Sequence, residues 1–235
     1  STILPVNVVC GHSLVVSKDT TNLALNDSLY ILGNINSFCL DFIVRQKVSS
    51  NINFYHVYTL PINYSNRDNL ADSIIARVVR LVCTEKHFSG LWNQAFSDKW
   101  RMPEFWYPSF APIDTYGPVH EQEIRRRLKE EAKNLTPEWG PHCGVHDRLL
   151  DRRDTGDRAQ LRAEIDAYVA HLYGLSKEDF AYILDTFTVL KKKEEKVFGE
   201  FMSKRKCLEE YDRIKLILEE SKRTRNNKGN SSDYI

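Results

Sequence analysis

The sequence predicts an α+β protein, with an N-terminal mixed sheet and helix domain over residues 1–118 followed by a mainly helical part over residues 119–235. Three observations predict it. The first sixty residues are apolar, β-branched and balanced in charge; the second half sets apolar residues at helical spacing among many charged ones; and the charge balance shifts between them, being zero over residues 1–120, −3 over 121–190 and +4 over 191–235. The chain has 235 residues, 42% hydrophobic and 28% charged, with a formal net charge of +1, which is enough material for a sizeable core and too ordinary for a disordered or collagen-like chain.

The elements follow in order. Ile3 to Val9 and Ser13 to Val16 are rich in Val, Ile and Leu and read as two short strands broken at Gly11. Asn26, Asp27 and Ser28 are N-cap residues before a long helix, Leu29 to Lys47, whose two adjacent apolar stripes predict burial on most sides. A polar loop over Val48 to Asn53 leads into a predicted strand, Phe54 to Ile62. Asn69 to Glu85 reads as a helix with Ile74, Ile75, Val78, Val79 and Val82 as its core stripe, and the aromatic connection from Trp92 to Phe110 reads as an irregular packed loop in preference to a base-stacking surface. In the second half, Glu121 to Asn134 is helical. Leu161, Ile165, Val169 and Leu172 mark a helix stopped at Gly174, Ser176 caps the next one, and a long charged helix runs from Lys191 to about Lys222 before a polar tail over 224–235 that is expected to be disordered.

Several function classes are excluded. No two glycines are separated by a single residue and no Gly-Lys dipeptide occurs, so a complete P-loop, a dinucleotide fingerprint and the usual S-adenosylmethionine loop are all missing, as is an Asn-Pro-Pro-Tyr type methylation motif. The longest apolar stretch, Ser73 to Cys83, is cut by Arg77 and Arg80, which argues against a membrane span. Five scattered cysteines argue against a secreted disulfide framework and for a reducing, cytoplasmic setting, and a first residue Ser1 without signal-peptide features suggests a piece of a longer polypeptide. His142, Cys143 and His146 lack a fourth metal ligand at usual spacing, and Asp114, Glu131 and Lys133 only mimic a nuclease order, so neither set is assigned as a site.

Two segments carry a resemblance. Leu29 through Phe38, Asp41-Phe42, Arg45-Gln46-Lys47, Asn51-Ile52-Asn53-Phe54 and Leu60-Pro61-Ile62 together resemble the target-recognition region of bacterial DNA adenine-N6 methyltransferases, most closely that of the large type IIG restriction-modification enzymes. Leu172-Tyr173-Gly174-Leu175-Ser176, Tyr182 to Phe187, Lys191 to Lys193 and Phe198 to Arg205 are similar to the helical C-terminal part of the same proteins. The resemblance implies double-stranded DNA as partner, a catalytic methyltransferase domain elsewhere in the same parent chain, S-adenosylmethionine as the parent's cofactor, and no catalytic or metal-binding residue in this fragment. It departs from many relatives in having Ser49-Ser50 where they often carry glycines.

The candidate DNA-binding residues are Arg45, Gln46, Lys47, Ser49, Ser50 and Asn51 around the first loop and Lys191, Lys192, Lys193, Lys204 and Arg205 in the charged helix. Arg and Lys suit phosphates and guanine, while the amides of Gln46 and Asn51 can pair a donor and an acceptor with adenine. The competing reading is a helical docking or scaffold module without direct DNA readout, because a net charge near zero gives no broad DNA-binding field.

Overall fold

The protein is described by a computed structural model covering residues 23–48, 54–63, 67–146 and 156–229. Among these residues there is no strand and no sheet, so the expected α+β class is corrected to an all-helical architecture. The two predicted strands at Ile3 to Val9 and Ser13 to Val16 lie outside the described residues. The third, Phe54 to Ile62, is instead a short helix, α3 (Phe54–Tyr58), followed by a turn in which Leu60 N donates to Val57 O and Ile62 N to Leu60 O. Aromatic and β-branched residues favour a strand only where a neighbouring strand offers pairing, and among the described residues none does. Side chains supply the partners instead: Tyr30 Oη donates to Asn63 O, Tyr173 Oη to Pro61 O and Asn63 Nδ2 to Leu172 O.

The long helix expected over Leu29 to Lys47 is two helices, α1 (Leu25–Ile35) and α2 (Phe38–Lys47). Ser37 divides them by capping: its Oγ accepts from Leu40 N at 3.3 Å and donates to Asn34 O at 2.7 Å. Helix α4 (Arg67–Val82) packs on α1, and Gly33 permits the approach, since a Cβ there would lie 2.5 Å from Ile74 Cγ2. The aromatic connection folds into short turns and two short helices, α5 (Ser89–Ala95) and α6 (Pro103–Trp106). Trp92, Trp100, Trp106 and Tyr107 are buried there, with the indoles of Trp92 and Trp106 donating to Thr136 O and Trp100 O.

Helix α7 (Val119–Glu131) leads to α8 (Asp157–Leu172), the hub against which α1, α2, α4, α7 and α11 all pack. Twelve of its sixteen residues are buried, and they include Asp157, Gln160, Glu164 and Asp166 beside the expected Leu161, Ile165, Val169 and Leu172. The cap after α8 follows the sequence: Gly174 has φ 66°, and Leu175 N reaches back to Ala170 O at 3.1 Å. Ser176 then caps α9 (Lys177–Asp185), its Oγ accepting from Asp179 N at 3.0 Å.

The single charged helix expected from Lys191 to Lys222 is also two, α10 (Thr188–Phe198) and α11 (Met202–Gly229). Gly199 ends α10 in the left-handed region at φ 78°, and the Glu194 carboxylate accepts from Ser203 N and Ser203 Oγ to fix the corner. Helix α11 continues to Gly229, so residues 224–229 of the expected disordered tail are helical. One hydrophobic core draws on α1, α2 and α4 before residue 118 and on α7, α8, α9 and α11 after it. No helix among the described residues is long and apolar enough to cross a membrane.

Candidate nucleic-acid interface

Helix α2 is fixed at both ends. At its start Phe38 N donates to Asp166 Oδ1 of α8 at 2.7 Å, and at its end Lys47 Nζ donates to Thr59 O at 2.9 Å, just beyond α3. Between these points Phe38 meets the Phe187 ring edge-on at 4.7 Å and Phe42 meets Tyr182 at 6.5 Å, which docks α2 against α9 and the turn into α10. The described residues of the two segments that carry the resemblance therefore pack on one another through α2, α9 and the turn into α10.

That packing brings the last turn of α2 and the first turn of α10 to a shared surface cleft lined by Arg45, Phe187, Val189, Leu190 and Lys193. Arg45 lies with its guanidinium carbon 4.2 Å over the Phe187 ring while Nε and Nη2 donate to Asp41 at 3.2 and 2.9 Å. Gln46 and Lys47 are exposed beside it, and Lys47 keeps two ammonium hydrogens beyond the one given to Thr59. Lys192 and Lys193 are exposed and Lys191 is half-buried. Glu194, next in sequence, turns inward to Ser203 and so does not share the lysines' outer face.

The other predicted pair behaves differently. Lys204 Nζ binds Asp185 Oδ2 at 2.6 Å. Arg205 is clamped by Glu121 through two bonds of 3.0 Å, and by Glu200 and Glu209. Burial alone would lower the Arg205 pKa, yet these carboxylates raise it well above the usual range. Glu121 shows the reverse: burial would raise it, but Arg205 and Lys206 hold it down to about 2. Lys204 thus pairs with Asp185 at the surface and Arg205 is held by three carboxylates, one of them buried, and the structure does not bring either to the α2/α10 cleft. Ser49, Ser50 and Asn51 lie outside the described residues.

Compared with protein-family models, curated proteins and solved structures, the chain matches none.

Sequence reasoning missed Tyr55 and Tyr58 of α3, which stand 72% and 81% exposed one turn apart beside the Lys47 anchor. Read as a strand, that segment places alternate residues inward; as a single helical turn it presents both rings to solvent. It also missed Val189, 82% exposed at the cleft rim. The sets left unassigned are used elsewhere. Asp114 pairs with Arg126, Glu131 with Arg80 and Lys133 with Glu130, while Cys143 is buried and its carbonyl accepts from Arg80. No group of three His, Cys, Asp or Glu side chains placed to hold a metal occurs among the described residues.

Proposed function

We propose that this chain is the DNA target-recognition module, with its helical extension, of a restriction-modification adenine-specific DNA methyltransferase. In this reading methyl transfer from S-adenosylmethionine belongs to another domain of the same protein, and the contribution of this chain is to grip and read double-stranded DNA. The observation that carries it is the convergence of Arg45 and Lys193, 148 positions apart in sequence, on one exposed cleft with Lys47 and Lys192 nearby. Cationic side chains on fixed helix ends suit phosphates, which position a protein on a duplex, while flanking amides and tyrosines are the groups that reach base edges or sugars.

The test is binding of a randomised duplex pool at several salt concentrations. Recognition gives a signal that falls steeply with salt, with a slope of roughly −0.9 per phosphate neutralised, and that enriches particular sequences. Absence of binding at low salt overturns the reading and favours the docking module, for which the exposed Val189 and Val197 of α10 are the specific support.

A further inference from the structure

On the inner side of α10 the helices leave a partly open cavity of about 810 Å³ bordered by α1, α4, α8, α10 and α11. Small-molecule sites between packed helices fall in the range of roughly 300–1,000 Å³. The walls are mainly apolar, with Leu32, Val78, Phe88, Ile165 and Phe198 among them. Helix α10 turns Leu190, Glu194 and Phe198, spaced by four, toward this space, and none of its residues is fully buried. It borders the opening, with Leu190 packed on the cluster of Ile183, Phe187 and Phe201 and Glu194 held by Ser203.

Most charged groups on the wall are already satisfied. Lys206 Nζ donates to Gln160 Oε1 at 3.0 Å and pairs with Glu121 at 3.1 Å; Arg158 Nη1 donates to Leu81 O and Val145 O; both Glu194 oxygens are taken by Ser203. Arg162 sits exposed at the rim. Asp166 differs. It is only 6% exposed, Oδ1 accepts from Phe38 N at 2.7 Å, and Oδ2 has no protein donor among the described residues.

We infer that the cavity is a binding site for an apolar small molecule carrying an N–H donor, an amine or an amide, that pairs with the second oxygen of Asp166. A carboxylate in apolar surroundings is costly until a donor or cation completes it, and a ligand N–H does so while its apolar body fills the space under α10. A ligand carboxylate brings a second acceptor with like charge to the same oxygen.

The experiment is calorimetric titration of the full chain at pH 8.5, where Asp166 is ionised, with n-octylamine, octanamide and sodium octanoate, which have eight carbons each. Saturable binding of the amine, the amide or both, at least tenfold tighter than octanoate, supports the site, and the stronger of the two identifies the nitrogen. In Asp166→Asn the amide oxygen still accepts from Phe38 N but an NH₂ replaces the free acceptor, so the preference over octanoate should vanish. Ala159→Trp, on the half-buried part of the wall, should block all three without touching Asp166. Equal binding of all three probes, binding of none, an unchanged preference in Asp166→Asn, or undiminished binding in Ala159→Trp would overturn the inference.

Discussion

Arg77 of α4 and Glu164 of α8, 87 positions apart, meet at 2.5 Å with neither side chain exposed. The pair anchors a buried polar network: Glu164 Oε1 also accepts from Tyr107 Oη and Gln160 Nε2, Gln160 Nε2 reaches Glu210 Oε1, and Glu210 is shared by Arg125 at 2.8 Å and Arg213 at 2.7 Å. Arg77 further stacks near Trp106 and Tyr168, and Arg213 over Tyr107. The elements α4, α6, α7, α8 and α11 thereby share one charge system as well as one apolar core.

Breaking this pair from one side leaves the other charge in the interior. Arg77→Met is expected to cost about 3–5 kcal/mol of stability, because Glu164 loses its ion-pair partner and keeps only the neutral hydrogen-bond donors Tyr107 and Gln160, with Arg213, already shared with Glu210, as the remaining nearby cation. Adding Glu164→Gln should recover part of that loss, as the amide still serves Tyr107 and removes the uncompensated charge. Urea denaturation of the two variants measures both; a double variant no more stable than Arg77→Met would mean that the charge is not the cause.

Acid and neutral pH should act on different carboxyls. Glu121 and Glu210 are held down to about 2 against burial, by Arg205 and Lys206 and by Arg213 and Arg125 respectively. A depressed carboxyl gives stability that is present above its unfolded value near 4.5 and lost as pH falls toward 2. Asp166 is the opposite case, pushed up by burial from 3.8 to about 7 although the Phe38 N–H and Arg162 pull it down and Asp41 adds to the rise. Its contribution is full below about pH 4 and disappears as pH climbs through 7. Thermal melts from pH 4 to 8 should therefore show a decline in wild type toward pH 8 that is reduced in Asp166→Asn, and equal slopes in the two proteins would contradict the assignment.

The caps at Gly174 and Ser176 and the apolar stripes were legible in the sequence; the fold class, the polar core and the dividing caps Ser37 and Gly199 were not, and Asn26, Asp27 and Ser28, read as N-cap residues, lie inside α1, whose N-cap is Ala24. Gly174 and Ser176 act through neighbours a few positions away, so local pattern suffices to find them. Phe54 to Tyr58 failed because its aromatic and β-branched content describes a half-buried surface without saying whether a strand lies beside it. Arg77 and Arg80 seemed to interrupt an apolar run, yet both are fully buried, since their partners Glu164, Trp106 and Cys143 O come from distant parts of the chain. The cleft shows both limits: Arg45 and Lys193 were selected by residue type, but only the docking of Phe38 and Phe42 on α9 and its following turn explains why they share a surface while Lys204 and Arg205 do not.

Two glycines of the helical scaffold should respond to alanine for different reasons. Gly33→Ala brings a Cβ to 2.5 Å from Ile74 Cγ2 between α1 and α4, an overpacking expected to cost about 1–3 kcal/mol. Gly199→Ala meets nothing within 4 Å, so only the left-handed backbone at φ 78° opposes it, at about 1–2 kcal/mol. Pairing each with Ile74→Ala, which removes the clashing Cγ2 methyl, separates the causes in urea denaturation: the double variant with Gly33→Ala should lose less stability than the two single losses added together, while that with Gly199→Ala should lose their sum.

The basic residues divide into those that hold the fold and those available to DNA, and a matched pair of variants separates them. Arg205→Ala removes the donors that Glu121, Glu200 and Glu209 share, leaving Glu121 buried with Lys206, and should lower stability by about 1.5–3 kcal/mol. DNA affinity measured well below the melting temperature should stay at wild type, because that guanidinium already faces carboxylates. Replacing Lys191, Lys192 and Lys193 by Ala touches no internal ion pair among the described residues and should leave the melting temperature within about a degree, consistent with surface substitutions near ±0.5 kcal/mol. Its effect should appear in binding: affinity falls for every duplex alike, and the salt slope flattens by roughly 0.9 for each phosphate that is no longer neutralised. Anisotropy titrations at three salt concentrations together with thermal melts of both variants decide the matter. If Arg205→Ala flattens the salt slope while the triple lysine variant does not, the grip on DNA lies at the α7/α11 side, and the cleft between α2 and α10 is not the interface.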